Sequence, residues 1–160
     1  MINTINMRYI LGFVLVMGIT AVSCSKDKAD TKPSLSVKSV SSNVIPVNGD
    51  LSVNLEFTDK EADLESIFVQ KVRQNRRTTA TIRDTFSLSV AEFPKKANGD
   101  IEMKLFYQLQ LLSAERAPAN PGSSTGFESD SIIIRLALRD KAAHVSDTVT
   151  TEQIVIQRIN

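Results

Sequence analysis

In 160 residues the chain has one cysteine, one histidine and no tryptophan. A single thiol excludes an internal disulfide, so burial and hydrogen bonding must hold any core. One histidine leaves too few nitrogen and sulfur ligands for a common zinc centre. A catalytic triad would have to be built around His144 alone, which the sequence places in a polar turn. Without tryptophan, and with Tyr9 and Tyr107 as its two tyrosines, the chain is poor in the aromatic platforms on which sandwiches stack sugars. Charge of one sign is missing as well: 19 basic residues face 18 acidic ones. A nucleic-acid binder shows a basic excess, so that class is excluded. The one long apolar run, within residues 9–22, falls short of the roughly 20 residues of a comfortable transmembrane helix.

What is present begins with that run. Arg8 precedes it and small residues follow it, the pattern of a secretory signal. Met7 is an alternative start that sets Arg8 at the N-terminus. The run ends in Ala21-Val22-Ser23-Cys24. This stretch resembles the lipobox of bacterial lipoproteins. The resemblance implies a diacylglycerol-modified Cys24, cleavage just before it, and acylation of the new amine. Two or three acyl chains anchor stably where one holds only marginally. Residues 24–33 are polar and lack apolar periodicity, so they read as a flexible tether. The lysine and aspartates just after Cys24 resemble export signals of surface lipoproteins in the Bacteroidetes, which implies an outer-membrane protein on either face. Residues 1–23 hold one basic residue and no acidic one, which leaves 18 of each in residues 24–160. The expected organisation is a signal helix over 1–23, a lipidated tether over 24–33 and one domain over 34–160.

Within that domain, alternation dominates. Leu51, Val53, Leu55 and Phe57 alternate with Ser52, Asn54 and Glu56, the period of a half-buried strand. Leu35, Val37 and Val40 mark an imperfect first strand. Ile67, Val69 and Lys71 share an inner face, with Phe68 and Val72 opposite. Phe86, Leu88 and Val90 alternate next. Ile101, Met103, Leu105, Tyr107, Leu109 and Leu111 extend one apolar face, with Phe106 opposite. Ile132, Ile134, Leu136 and Leu138 follow, and Val149, Thr151, Ile154 and Ile156 close the chain with a phase slip near Glu152 and Gln153. Asn48-Gly49-Asp50 and Asn98-Gly99-Asp100 read as turns, and residues 113–129 as a long loop. About seven strands without a helix predict an all-β antiparallel sandwich, with a small barrel as the rival.

Two short segments carry a further resemblance. Phe57-Thr58-Asp59-Lys60-Glu61-Ala62-Asp63-Leu64 and residues 136–147, with Asp140, Ala143 and His144, are similar to the turns of immunoglobulin-like domains in Bacteroidetes lipoproteins. Ala62 and Ala143 stand where those domains have glycine. The resemblance implies an immunoglobulin-like sandwich and a non-enzymatic binding or scaffolding role toward an envelope partner.

The densest acidic cluster is Asp59, Glu61 and Asp63. Calcium takes six to eight oxygen ligands, and closely spaced acids in a turn supply several. The spacing does not fit an EF-hand, since Leu64 falls at the glycine position. Turn capping through Asx hydrogen bonds is the competing reading, with Asp140 and Asp147 as further ligands if their turn lies at the same end. Lys71, Arg73, Arg76, Arg77 and Arg83 gather around one hairpin. Arg73, Arg76 and Arg77 are therefore candidate partner contacts, against the alternative of a solvated hairpin that blocks edge pairing. No cofactor other than the Cys24 lipid and calcium is expected.

Overall fold

The computed structural model describes residues 32–75, 81–91, 95–112, 117, 119–124 and 126–158. The signal, Cys24, the tether up to residue 31, Arg76, Arg77 and the Arg83 side chain lie outside the described residues. The strands are β1 (Ser34–Val40), β2 (Val44–Ile45), β3 (Leu51–Thr58), β4 (Leu64–Arg73), β5 (Thr81–Ser89), β6 (Asn98–Leu105), β7 (Asp130–Asp140), β8 (Val149–Thr150) and β9 (Ile154–Ile156). No helix among the described residues is long and apolar enough to cross a membrane.

The strands form two sheets. One has the order β1-β3-β6, antiparallel throughout. The other runs β2-β9-β7-β4-β5, with β8 also on β7. Its pairs are antiparallel except β2–β9, which is parallel. Reading β1, β3 and β6 as strands A, B and E, and β4, β5, β7 and β9 as C, C′, F and G, gives the strand order of an immunoglobulin-like sandwich. The all-β sandwich expected from alternation is the fold observed.

The alternation has a direct cause. Inner-face residues of β3, Leu51, Val53, Leu55 and Phe57, are buried, and those of β7, Ile132, Ile134, Leu136 and Leu138, face them across the core. Both strands are buried on one side and more exposed on the other, so period two is preserved in the sequence.

Four local expectations are corrected. Nine strands are assigned among the described residues, not seven: β2 was not foreseen, and the last strand is broken into β8 and β9 rather than bulged. The break falls at Thr151, whose hydroxyl accepts from the Ile134 amide at 3.0 Å and takes a ladder position from the backbone. The apolar face predicted through Leu111 ends at Leu105. Tyr107–Leu111 instead form one π turn, which buries Tyr107 and Leu111 and leaves Leu109 75% exposed. That turn is secured from β4: Lys71, 1% exposed, donates through Nζ to the carbonyls of Gln110 and Leu111. Finally, Asn98-Gly99-Asp100 is not a turn but the start of β6, paired with β3. A Cβ on Gly99 would lie 3.2 Å from the Phe57 ring, so glycine there serves close packing.

Candidate functional site

Two connections meet at one end of the sandwich. The first, Asp59 to Asp63, joins β3 to β4; the second, Asp140 to His144, leaves β7. β4 pairs with β7 so that Leu64 lies opposite Asp140, which sets the two turns side by side.

They are built alike. In each, an aspartate carbonyl accepts from the amide three residues on: Ala62 N to Asp59 O at 3.2 Å, and Ala143 N to Asp140 O at 3.1 Å. In each, the aspartate carboxylate accepts from the amide four residues on: Asp63 N to Asp59 Oδ2 at 2.9 Å, and His144 N to Asp140 Oδ1 at 2.8 Å. In each, the alanine holds a positive φ, 53° at Ala62 and 70° at Ala143. A carboxylate capping a turn in this way has left-handed backbone nearby, where glycine is favoured. The Lys141 amide donates to the Asp63 carbonyl at 2.9 Å and ties the turns together.

The result is a carboxylate cluster. Asp59, Asp63 and Asp140 each bring one oxygen to within 4.8 Å of the others. Asp59 and Asp140 are each 1% exposed. Asp59 Oδ1 and Asp63 Oδ1 are enclosed and accept no hydrogen bond. The Asp63 carboxyl is held above its ordinary 3.8, first by burial and then by the charges of Asp59, Asp140 and Glu61, with Lys141 opposing. His144 approaches from the outside, with Nδ1 2.8 Å from Asp140 Oδ2.

The predicted trio is therefore corrected in one member. The structure joins Asp59 and Asp63 to Asp140, whereas Glu61 is exposed and outside the set. The turn-capping reading holds, since Asp59 Oδ2 accepts from the Asp63 amide. Asp147 is not a member: it is exposed and paired with Lys32. Asp140 meets the condition set for it, since its turn lies at the same end of the sandwich as residues 59–63, although 77 positions separate it from Asp63. One signal existed, the shared Asp-Lys-x-Ala of 59–62 and 140–143.

One member of the basic hairpin is corrected as well. Arg73 is no solvated contact residue. It is buried and paired with Asp130 at 2.5 Å, and Arg158 takes the other Asp130 oxygen at 2.5 Å. Asn75 extends the network, donating to Glu128 and Ser129 and accepting from the Ser131 amide. This polar cluster lies at the other end of β4 and β7 from the carboxylates.

Gly122-Ser123-Ser124-Thr125-Gly126 spells a G-x-S-x-G pattern. It sits in a loop closed by the Ala119–Phe127 bridge, not on the strand-to-helix elbow that gives the pattern its chemistry. The eleven residues of β7 intervene between that loop and His144, about 33 Å at strand rise. No Ser–His pair is formed by these residues.

No family model and no curated protein matches the chain. Similar solved structures include the sporulation control protein Spo0M from Bacillus subtilis, at 7% identity and a TM-score of 0.46 over 80% of this chain. The chain spans about half the length of that Spo0M chain, 50%. Others are a superoxide reductase (neelaredoxin) from Ignicoccus hospitalis, at 8% identity and 0.38 over 79% of this chain and 80% of that one, and a Niemann-Pick type C2 protein from Japanese carpenter ant, at 16% and 0.37 over 71% and 79%. Likeness of this degree carries no argument about chemistry.

Proposed function

We propose that the chain is a lipid-anchored module of the bacterial cell envelope, held in the outer membrane through Cys24, that binds or scaffolds a protein partner without catalysing a reaction. The observation that carries this reading is Cys24 itself: the only cysteine, closing a signal-like apolar run at Ala21-Val22-Ser23 and followed by a polar tether. The sandwich supplies a rigid body, and loops on such a body are where binding surfaces form. The hairpin between β4 and β5 and the loop of residues 113–129 are the proposed contact surfaces; Arg76 and Arg77 remain proposed contacts within the first.

The anchor is tested by Cys24→Ser. The variant is expected in the soluble fraction and without incorporated radiolabelled palmitate, while the parent chain pellets with membranes and is labelled. A variant that stays membrane-bound sinks the anchor. Pull-down from detergent-solubilised membranes then addresses the partner, and recovery of no specific protein counts against the scaffolding role.

A further inference from the structure

We propose that the two like-built turns hold a calcium ion between them, with Asp59, Asp63 and Asp140 as carboxylate ligands. This inference is independent of the anchor at Cys24.

The first support is an energetic defect. Asp59 is 1% exposed, and its Oδ1 accepts nothing. Asp63 Oδ1 is likewise enclosed and without a donor. Buried carboxylate oxygens are satisfied by donors or by metal, because an unmatched one forfeits its solvation. Here two such oxygens belong to a trio of carboxylates, so the defect includes repulsion as well as lost hydration. A cation at the centre removes both.

The second support is metric. Three oxygens no more than 4.8 Å apart fit within a circle of radius about 2.8 Å. Calcium–oxygen distances run about 2.3–2.6 Å, so a contraction of a few tenths of an ångström suffices. Magnesium demands a near-ideal octahedron at about 2.0–2.1 Å and dehydrates reluctantly, so calcium's more flexible oxygen shell suits two capped turns better. An all-oxygen set is also a poor match for zinc, which favours nitrogen and sulfur. Three carboxylates leave the remaining calcium positions to water.

The third support is preorganisation. Asp59 Oδ2 is fixed by the Asp63 amide, and Asp140 by both the amide and the ring of His144. Two of the three carboxylates are thus oriented before an ion arrives. The site would clamp the β3–β4 turn to the turn after β7, two segments far apart in sequence.

Calorimetric titration of the full chain in detergent, stripped with chelator, with CaCl2 as the probe tests this. One ion per chain is expected, with a melting midpoint several degrees higher at about 100 times Kd than in chelator. Magnesium at equal ionic strength should give less than a third of that shift. Asp140→Asn should weaken calcium binding at least tenfold, and Glu61→Gln should leave it within about twofold, because Glu61 is outside the trio. Asn keeps the acceptor that caps the turn; should Asp140→Asn nevertheless fail to fold, the stoichiometry, the magnesium comparison and Glu61→Gln still decide. No heat and no shift at millimolar calcium overturn the proposal. So does an equal response to magnesium, or loss of binding in Glu61→Gln.

Discussion

At the scale of single residues, Ala62 and Ala143 are the least comfortable positions described. Both hold left-handed backbone, φ 53° and 70°, with a Cβ that this conformation penalises. The penalty is about 1–2 kcal/mol per residue. Glycine removes it but adds about 0.4–1 kcal/mol of unfolded-state entropy. Ala62→Gly and Ala143→Gly are each expected to stabilise by about 0.5–1 kcal/mol, read as a higher urea midpoint at unchanged slope. A lower midpoint in both would show that the turns carry no such strain. That each alanine stands at a glycine position is what the resemblance of the two turns implies. The sign of φ was not legible in the sequence, since only the capping geometry makes it necessary.

At the scale of elements, buried polar pairs decide how strands end. Lys71 secures the π turn after β6, and Asp130 joins the ends of β4 and β7 to Arg158. Removing one member of a buried ion pair costs about 3–5 kcal/mol, whereas an exposed pair is worth about 0–1. Asp130→Asn, which strips the carboxylate shared by Arg73 and Arg158, is therefore expected to cost about 3–5 kcal/mol. Lys104→Ala, which removes the exposed Lys104–Asp50 pair at 3.2 Å, should cost under about 1 kcal/mol. Denaturant midpoints of the two variants compare them directly, and equal losses would contradict the burial argument. β3 and β7 were legible because a one-sided strand writes its burial as alternation. Lys71 kept that phase and so was placed inward correctly. Arg73 was misread: its charge suggested solvent, and its partner Asp130 lies 57 positions away, a distance local patterning does not span.

At the scale of the whole molecule, the carboxylate cluster gives stability a characteristic pH dependence in calcium-free buffer. The folded Asp63 carboxyl titrates above its ordinary 3.8. Below 3.8 both folded and unfolded chains hold the proton, and Asp63 costs nothing. As pH rises from 3.8 to the folded value, the unfolded chain releases its proton first, so stability falls; above the folded value the deficit is constant. Asp63→Asn lacks this loss. Its stability relative to the parent chain should rise with pH through that window and then level off, as measured by urea unfolding from pH 3.5 to 7 in chelator. A difference that does not change with pH would contradict the burial and repulsion assigned to Asp63. The sandwich itself followed from strand count and turn spacing. The cluster did not, because Asp140 joins Asp59 and Asp63 through the β4–β7 pairing and not through proximity along the chain.

The register of β1 on β3 places Ser34 opposite Thr58, one residue before Asp59. The chain therefore enters the sandwich at the carboxylate end, while the Arg73–Asp130–Arg158 cluster lies at the other. The domain is thus differentiated along its strands: carboxylates gather at the end where β1 begins, and a buried arginine–aspartate cluster closes the opposite end of β4 and β7.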